Sequence, residues 1–216
     1  MLKRLIIPVV VAAVSLTAGC LQKETTHTLY LAPDGSVSWV TSEANVHSDE
    51  TEIGKRIAEE QAYIGAALLG THGAARGLAA VGPRGAVRTT VLRDERPFHV
   101  VTDANFAAVD RVLTRVFTEM SIRTSASLVR GSDENTLRVR LDFSHPLEEH
   151  ETPVSQLMDN VEHFRIVLTD GRIGPATGFD VTDGTSATLS AEWLDRAEKA
   201  YAAKGTIEFA LSWSAQ

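Results

Sequence analysis

Cysteine is almost absent from this sequence, whose 216 residues contain one, Cys20. A single cysteine cannot form a disulfide within the chain, and it cannot supply the several thiolates of a typical structural zinc site. An apolar core and hydrogen bonds must therefore hold the fold together. The hydrophobic content of 44% is sufficient for such a core and argues against a disordered chain.

Motifs of several familiar enzyme classes are also missing. The sequence contains no G-x-S-x-G nucleophile elbow, no H-E-x-x-H zinc motif and no G-x-G-x-x-G dinucleotide loop. Gly65 and Gly70 have the spacing of a phosphate loop, but Thr71 and His72 follow where Lys and Ser or Thr are required. These absences favour a non-catalytic protein, and we expect no cofactor.

Basic residues are too few for general nucleic-acid binding, since the formal net charge is −7 and such binding requires a basic surface. One stretch is a local exception, because Arg84, Arg88, Arg93 and Arg96 lie close together in the sequence. These arginines could dock an anionic partner or lipid head group. A solvated strand face explains the same residues equally well.

The apolar run near the start of the chain is too short to cross a membrane. Residues 5–16 form a run of about twelve mostly apolar residues, whereas a spanning helix needs roughly 20. The run follows Lys3 and Arg4 and is closed by the small residues Ala18 and Gly19. This is the layout of a secretory signal, so we expect residues 1–19 to be removed.

The end of this segment, Leu16-Thr17-Ala18-Gly19-Cys20, resembles the lipobox of bacterial lipoproteins. The resemblance covers residues 1–20. It implies that the Cys20 sulfur receives a diacylglyceryl group, that the chain is cut between Gly19 and Cys20, and that the new amino group is acylated. The implied location is the cell envelope, where acylated Cys20 anchors the protein to the bilayer. In a Gram-negative host the implied site is the outer membrane, because Leu21 and not Asp follows the cysteine.

The remaining chain is predicted to form a short tether, residues 20–26, and a single globular domain, residues 27–216. Alternating and helical patterns predict a hairpin, three helices and several further strands. The predicted segments are the hairpin 27–46, helices near 49–69, 103–120 and 190–204, strands near 87–93, 98–102, 122–130, 136–143, 163–169 and 179–182, and a last strand at 207–213. Helices and strands segregate in this order, which indicates an α+β fold. We expect a mostly antiparallel sheet with two or three helices packed on one face.

Two details of this scheme bear on function. The first predicted helix has an apolar face made by Ile53, Ile57, Ile64 and Leu68. It leads into residues 65–86, which are rich in glycine and alanine and are expected to form either a helix end with a loose connector or a mobile flap or partner loop.

The strongest polar cluster of the sequence lies in residues 144–151. His145, Glu148, Glu149 and His150 are residue types that bind zinc. The five-residue spacing of the two histidines does not place them on one helical face, and Pro146 favours a loop. We therefore interpret the cluster as a solvated loop and predict no metal site.

Three functions remain open. The favoured one is a non-catalytic envelope protein that binds a partner protein or supports an assembly. The second is a carrier or sensor that holds a small apolar ligand between sheet and helices, with Trp39, Phe106 and Phe117 as lining residues. The third is a metal-dependent hydrolase built on the histidines and glutamates of residues 144–151. A deep apolar pocket would favour the second function.

Overall fold

The computed structural model describes residues 21–119, 122–144 and 164–214. These residues contain eleven strands and four helices. The strands are β1 Leu21–Leu31, β2 Val37–Ser48, β3 Arg88–Arg93, β4 Phe98–Phe106, β5 Arg123–Arg130, β6 Asn135–Asp142, β7 Phe164–Leu168, β8 Arg172–Thr177, β9 Phe179–Thr182, β10 Ser186–Leu189 and β11 Thr206–Ser214. The helices are α1 Ile53–Leu68, α2 Gly73–Ala80, α3 Val109–Glu119 and α4 Ala191–Ala202.

The strands form two sheets. Sheet A has seven strands in the order β3-β4-β2-β1-β7-β10-β9, and sheet B has four in the order β5-β6-β11-β8. Among these strands only β1 and β7 pair in parallel. One apolar cluster contains side chains of both sheets, such as Leu29 and Ile166 from sheet A and Val139 and Leu211 from sheet B. The expected α+β class and antiparallel pairing are confirmed, with two sheets in place of one.

The predicted hairpin of β1 and β2 is present. The Gly35 amide donates to the Ala32 carbonyl at 2.9 Å, which closes a β-turn with Pro33 and Asp34 at its centre. Gly35 has a φ of +83°, a conformation that glycine adopts without strain.

The prediction of a tether over residues 20–26 is wrong for residues 21–26, the part that the structure describes. β1 begins at Leu21, which pairs with Ser48, and Gln22 pairs with His47. The segment is polar, but β2 is long enough to bond its backbone along the whole length. A polar segment can form a strand when a neighbouring strand bonds its backbone. The prediction used the polarity of the segment alone and was therefore wrong.

The first helix starts later than predicted and buries a different face. α1 begins at Ile53, and its N-cap residue, Glu52, makes no side-chain capping bond. The buried residues are Glu60, Tyr63 and Ala67, whereas most of the predicted apolar face is exposed. The part of sheet A beneath α1 presents polar groups, and these select the helix face that carries Glu60 and Tyr63.

The glycine-rich stretch of residues 65–86 contains ordered secondary structure. It includes the end of α1 and all of α2, whose Ala75 and Leu78 are buried. Gly70 and Gly82 have positive φ values of 65° and 80° and lie directly beyond the ends of the two helices. The glycines therefore end helices here, and the loose connector is replaced by a short packed helix.

The third helix supplies part of the core, although it begins later than predicted because residues 103–106 belong to β4. Val109, Val112, Leu113 and Phe117 are buried. We expect Leu113→Ala to lower the free energy of unfolding by about 2–5 kcal/mol, because it removes buried methyl groups. Chemical denaturation measures this loss. Arg111→Ala, at an exposed position of the same helix, is the control, and equal effects of the two changes would contradict the assignment of the buried face.

Candidate apolar binding site

A cavity of about 440 Å³ lies where α2 and α3 approach the sheets. Its lining is almost entirely apolar, and its volume falls within the range of small-molecule sites, roughly 300–1,000 Å³. The lining residues are His27, Trp39, Thr41, Gly73, Ala74, Gly77, Leu78, Ala80, Val81, Leu113, Val116, Phe117, Phe164, Phe179, Leu189 and Phe209.

The walls of the cavity differ in the size of the side chains that line them. One wall is α2, which contributes the small residues Gly73, Ala74 and Gly77. A β-carbon added at Gly73 or Gly77 would meet no atom within 4 Å. The absence of a side chain at Gly73 and Gly77 therefore leaves open space that larger residues would occupy.

The opposite walls carry aromatic rings. Trp39 lies edge-on to Phe164, with ring centroids 6.2 Å apart, and Phe179 lies edge-on to Phe209 at 5.4 Å. Such edge-to-face pairs hold large rings in fixed positions. Trp39 and Phe117 line the cavity as the carrier hypothesis predicted, while Phe106 packs behind Trp39 and is not a lining residue.

His27 and Thr41 give the cavity one polar spot. The His27 Nδ1 atom lies 3.1 Å from the Thr41 hydroxyl, and the Trp39 indole N–H donates to the same nitrogen at 3.3 Å. Because an indole nitrogen can only donate, Nδ1 accepts and carries no proton. The Nδ1 atom of His27 is therefore bonded within the protein, to Trp39 and Thr41.

A buried polar cluster lies next to the start of α2. The Glu43 carboxylate is buried, accepts from the Lys23 ammonium and from the Tyr63 hydroxyl at 3.0 Å, and lies 3.3 Å from His72 Nε2. His72 Nε2 also lies 3.0 Å from the Thr102 hydroxyl. His72 is the N-cap residue of α2, so this Glu43 cluster fixes the position where the cavity wall begins.

Burial sets the protonation states in the Glu43 cluster. Burial lowers the pKa of His72, an effect that the Glu43 charge opposes. Burial and the Glu43 charge both raise the pKa of Tyr63. At neutral pH the histidine is therefore neutral and the tyrosine keeps its proton.

Sequence reasoning missed the Glu43 cluster, although one signal was available. Val37, Trp39, Thr41 and Glu43 alternate along β2 and are all buried. A carboxylate in this inward-facing series requires partners. Those partners come from distant parts of the chain, so their identity depends on the tertiary fold.

The four arginines proposed to dock an anionic partner do not form one cluster. Arg88 is opposite Asp103 and pairs with it at 2.7 Å, while Arg93 is opposite His99 further along β4. Arg96 pairs with Glu60 at 2.9 Å and donates to the Ser48 carbonyl at 3.2 Å. The backbone of Arg84 bonds to Asn105 at the other end of β4. The arginines therefore lie along the length of a strand, and some of their charge is neutralised within the protein.

The other predicted site residues lie outside the described residues. These are Gly19 and Cys20 of the lipobox and the cluster of His145, Glu148, Glu149 and His150. Within residues 21–119, 122–144 and 164–214, no group of three or more histidine, cysteine, aspartate or glutamate residues could hold a metal ion. None of the helices described above has the length and apolar character needed to cross a bilayer.

Comparison with known proteins gives little further information. No protein-family model matches the chain, and no curated protein matches it. Among solved structures, the folded domain of LppM from Mycobacterium tuberculosis, determined by NMR, is similar over 92% of both chains. The identity is 10% and the TM-score is 0.37, so this likeness carries no argument about function.

Proposed function

We propose that this protein is a lipid-anchored envelope protein that carries or senses a small apolar molecule. The observation that supports the ligand is the cavity between α2, α3 and the sheets, with its apolar lining and its polar spot at His27 and Thr41. A ligand that suits this lining is largely apolar. The carrier or sensor function is therefore favoured over the binding of an envelope partner protein, which becomes the second candidate.

A binding measurement tests the ligand proposal. The chain from residue 21 onward carries every strand and helix described above and avoids the lipid background of the anchored form. N-phenyl-1-naphthylamine, an apolar dye whose fluorescence rises in apolar surroundings, should bind this form saturably at one site. Fluorescence that rises linearly with dye concentration, with no saturation, would contradict the proposal. Mass spectrometry of apolar compounds extracted from the purified native protein would then identify the natural ligand class.

The anchor rests on the lipobox resemblance and has its own test. We expect Cys20→Ser to prevent lipidation and to leave an uncut precursor or a released soluble form, because serine provides no sulfur for the diacylglyceryl group. Detergent phase partitioning and the mass of the N-terminal peptide measure the outcome. A variant that partitions into detergent as the parent does would show that Cys20 is not the anchor.

A further inference from the structure

Four apolar side chains are exposed on α1 and just beyond it. Ile53 is 63% exposed, Ile57 46%, Leu68 72% and Leu69 78%. Ile53, Ile57 and Leu68 share one flank of the helix with the half-buried Ile64, since consecutive members are separated by four or seven residues. We refer to the four exposed residues as the α1 surface. They form half of the large exposed apolar side chains in the described residues, and such concentration marks an interaction site.

The α1 surface lies at the end of sheet A where the described chain enters the fold. Leu21 pairs with Ser48 at the end of β2, and its side chain packs against the cluster that contains Tyr63 and Ile64 of α1. α1 contacts both β2 and β3, and β4 lies between these two strands. The helix therefore crosses the sheet at this end.

We propose that the α1 surface rests on the lipid bilayer that holds the acyl chains of Cys20. This inference rests on the anchor in the proposed function and is independent of the ligand. Cys20 directly precedes Leu21, and one residue spans at most about 3.6 Å. An acylated Cys20 would thus hold the neighbouring helix at the membrane surface, where its exposed isoleucines and leucines gain an apolar environment.

The charged residues at the same end are of both signs. Arg93 and Arg96 lie at the end of β3 and in the turn that follows, and Arg96 donates to the carbonyl of Ser48, the partner of Leu21. Arg96 is already paired with Glu60 at 2.9 Å. Arg93 is exposed and can meet a lipid head group, because guanidinium groups bind phosphate well. Asp94 and Glu95 share this turn, so the support for a bilayer comes from the exposed apolar flank and the position of Cys20.

The test uses the full lipidated chain with single introduced cysteines. Because the only natural thiol is Cys20 and acylation blocks it, Ile57→Cys and Leu68→Cys each provide one reactive thiol for an environment-sensitive fluorophore. Val129→Cys is the matched control. Val129 is also an exposed apolar residue, but its neighbour Leu128 lies against Gly35 at the opposite end of β1. The labelled proteins are placed in phosphatidylcholine and phosphatidylglycerol vesicles that contain chain-brominated lipid.

We expect brominated lipid to quench the labels at positions 57 and 68 and aqueous iodide to quench the label at position 129. Labels at 57 and 68 that only iodide quenches, in a protein whose N-terminal peptide carries the acyl mass, would overturn the α1 surface and leave the anchor intact. Labels protected from both quenchers would also overturn it, in favour of a second copy or a protein partner. An N-terminal peptide without the acyl mass would overturn the lipid anchor. It would also overturn the proposal that the α1 surface rests on the bilayer.

Discussion

Glu43→Ala should destabilise the protein strongly, by about 3 kcal/mol of unfolding free energy, because it removes the common partner of a buried polar cluster. The carboxylate accepts from Lys23 and Tyr63 and lies beside His72. Without it, the Tyr63 hydroxyl remains buried and loses its acceptor. The side chain of Lys23 is 37% exposed and can turn towards water, which keeps the loss near the lower end of the range for broken buried pairs. Urea denaturation at neutral pH measures it.

The control for this change is a carboxylate on an exposed strand position. Glu208 pairs with Arg140 at 3.7 Å, and both side chains are mostly exposed. We expect Glu208→Ala to change stability by less than about 1 kcal/mol, as is usual for surface ion pairs. If Glu43→Ala were no more destabilising than Glu208→Ala, Glu43 would not hold the cluster together.

The sequence predicted best those elements whose signals are local. The hairpin turn at Ala32–Gly35 depends on four consecutive residues. The last helix was predicted near 190–204, and it is capped by Ser190, whose hydroxyl accepts from the Trp193 amide at 3.2 Å. The alternation of residues 136–143 predicted a half-buried strand, and Leu137, Val139 and Leu141 of β6 are buried. In each case neighbouring side chains determine the backbone conformation.

Predictions failed where a distant part of the chain decides the outcome. The apolar stripe of α1 suggested a core-facing side, but the sheet beneath it presents Glu43 and Ser48, which bond to Tyr63 and Glu60. The pairing of β11 with both β6 and β8 forms a second sheet that no local pattern reveals. Sequence periodicity shows that a helix is amphipathic, but the choice between neighbouring faces depends on what the sheet offers.

The candidate site could be predicted only in part, because some of its residues have local signals and others depend on the tertiary fold. Trp39 and Phe117 could be proposed as lining residues because both are aromatic and belong to predicted inward-facing patterns. The contribution of α2 was missed, since the glycines in and around it lower the helix propensity that its alanines favour. The cavity exists because this helix is packed against sheet A while having small side chains. The volume of the cavity therefore depends on Gly73 and Gly77, which lie in the stretch that the sequence predicted to be a connector.

Gly77→Leu should weaken binding of an apolar ligand while leaving the fold as stable as before or more so. Gly77 lies in the interior of α2 and lines the cavity, and an added β-carbon meets no atom within 4 Å. Replacing a helix-interior glycine by leucine gains about 0.5–1 kcal/mol of helix stability. The leucine side chain would occupy part of the ligand volume. We expect dye affinity to fall by about tenfold or more, which corresponds to about 1.4 kcal/mol.

Gly65→Leu provides the matched control for this last change. Gly65 also lies within a helix, α1, with no atom within 4 Å of an added β-carbon, but it does not line the cavity. The same substitution should bring a similar gain in helix stability and leave dye affinity unchanged. Thermal unfolding and equilibrium dye titration measure the two properties separately. Because the expected changes have opposite signs at Gly77, general destabilisation cannot imitate them. Unchanged affinity in Gly77→Leu would show that the dye binds elsewhere and would remove the main support for a ligand in this cavity.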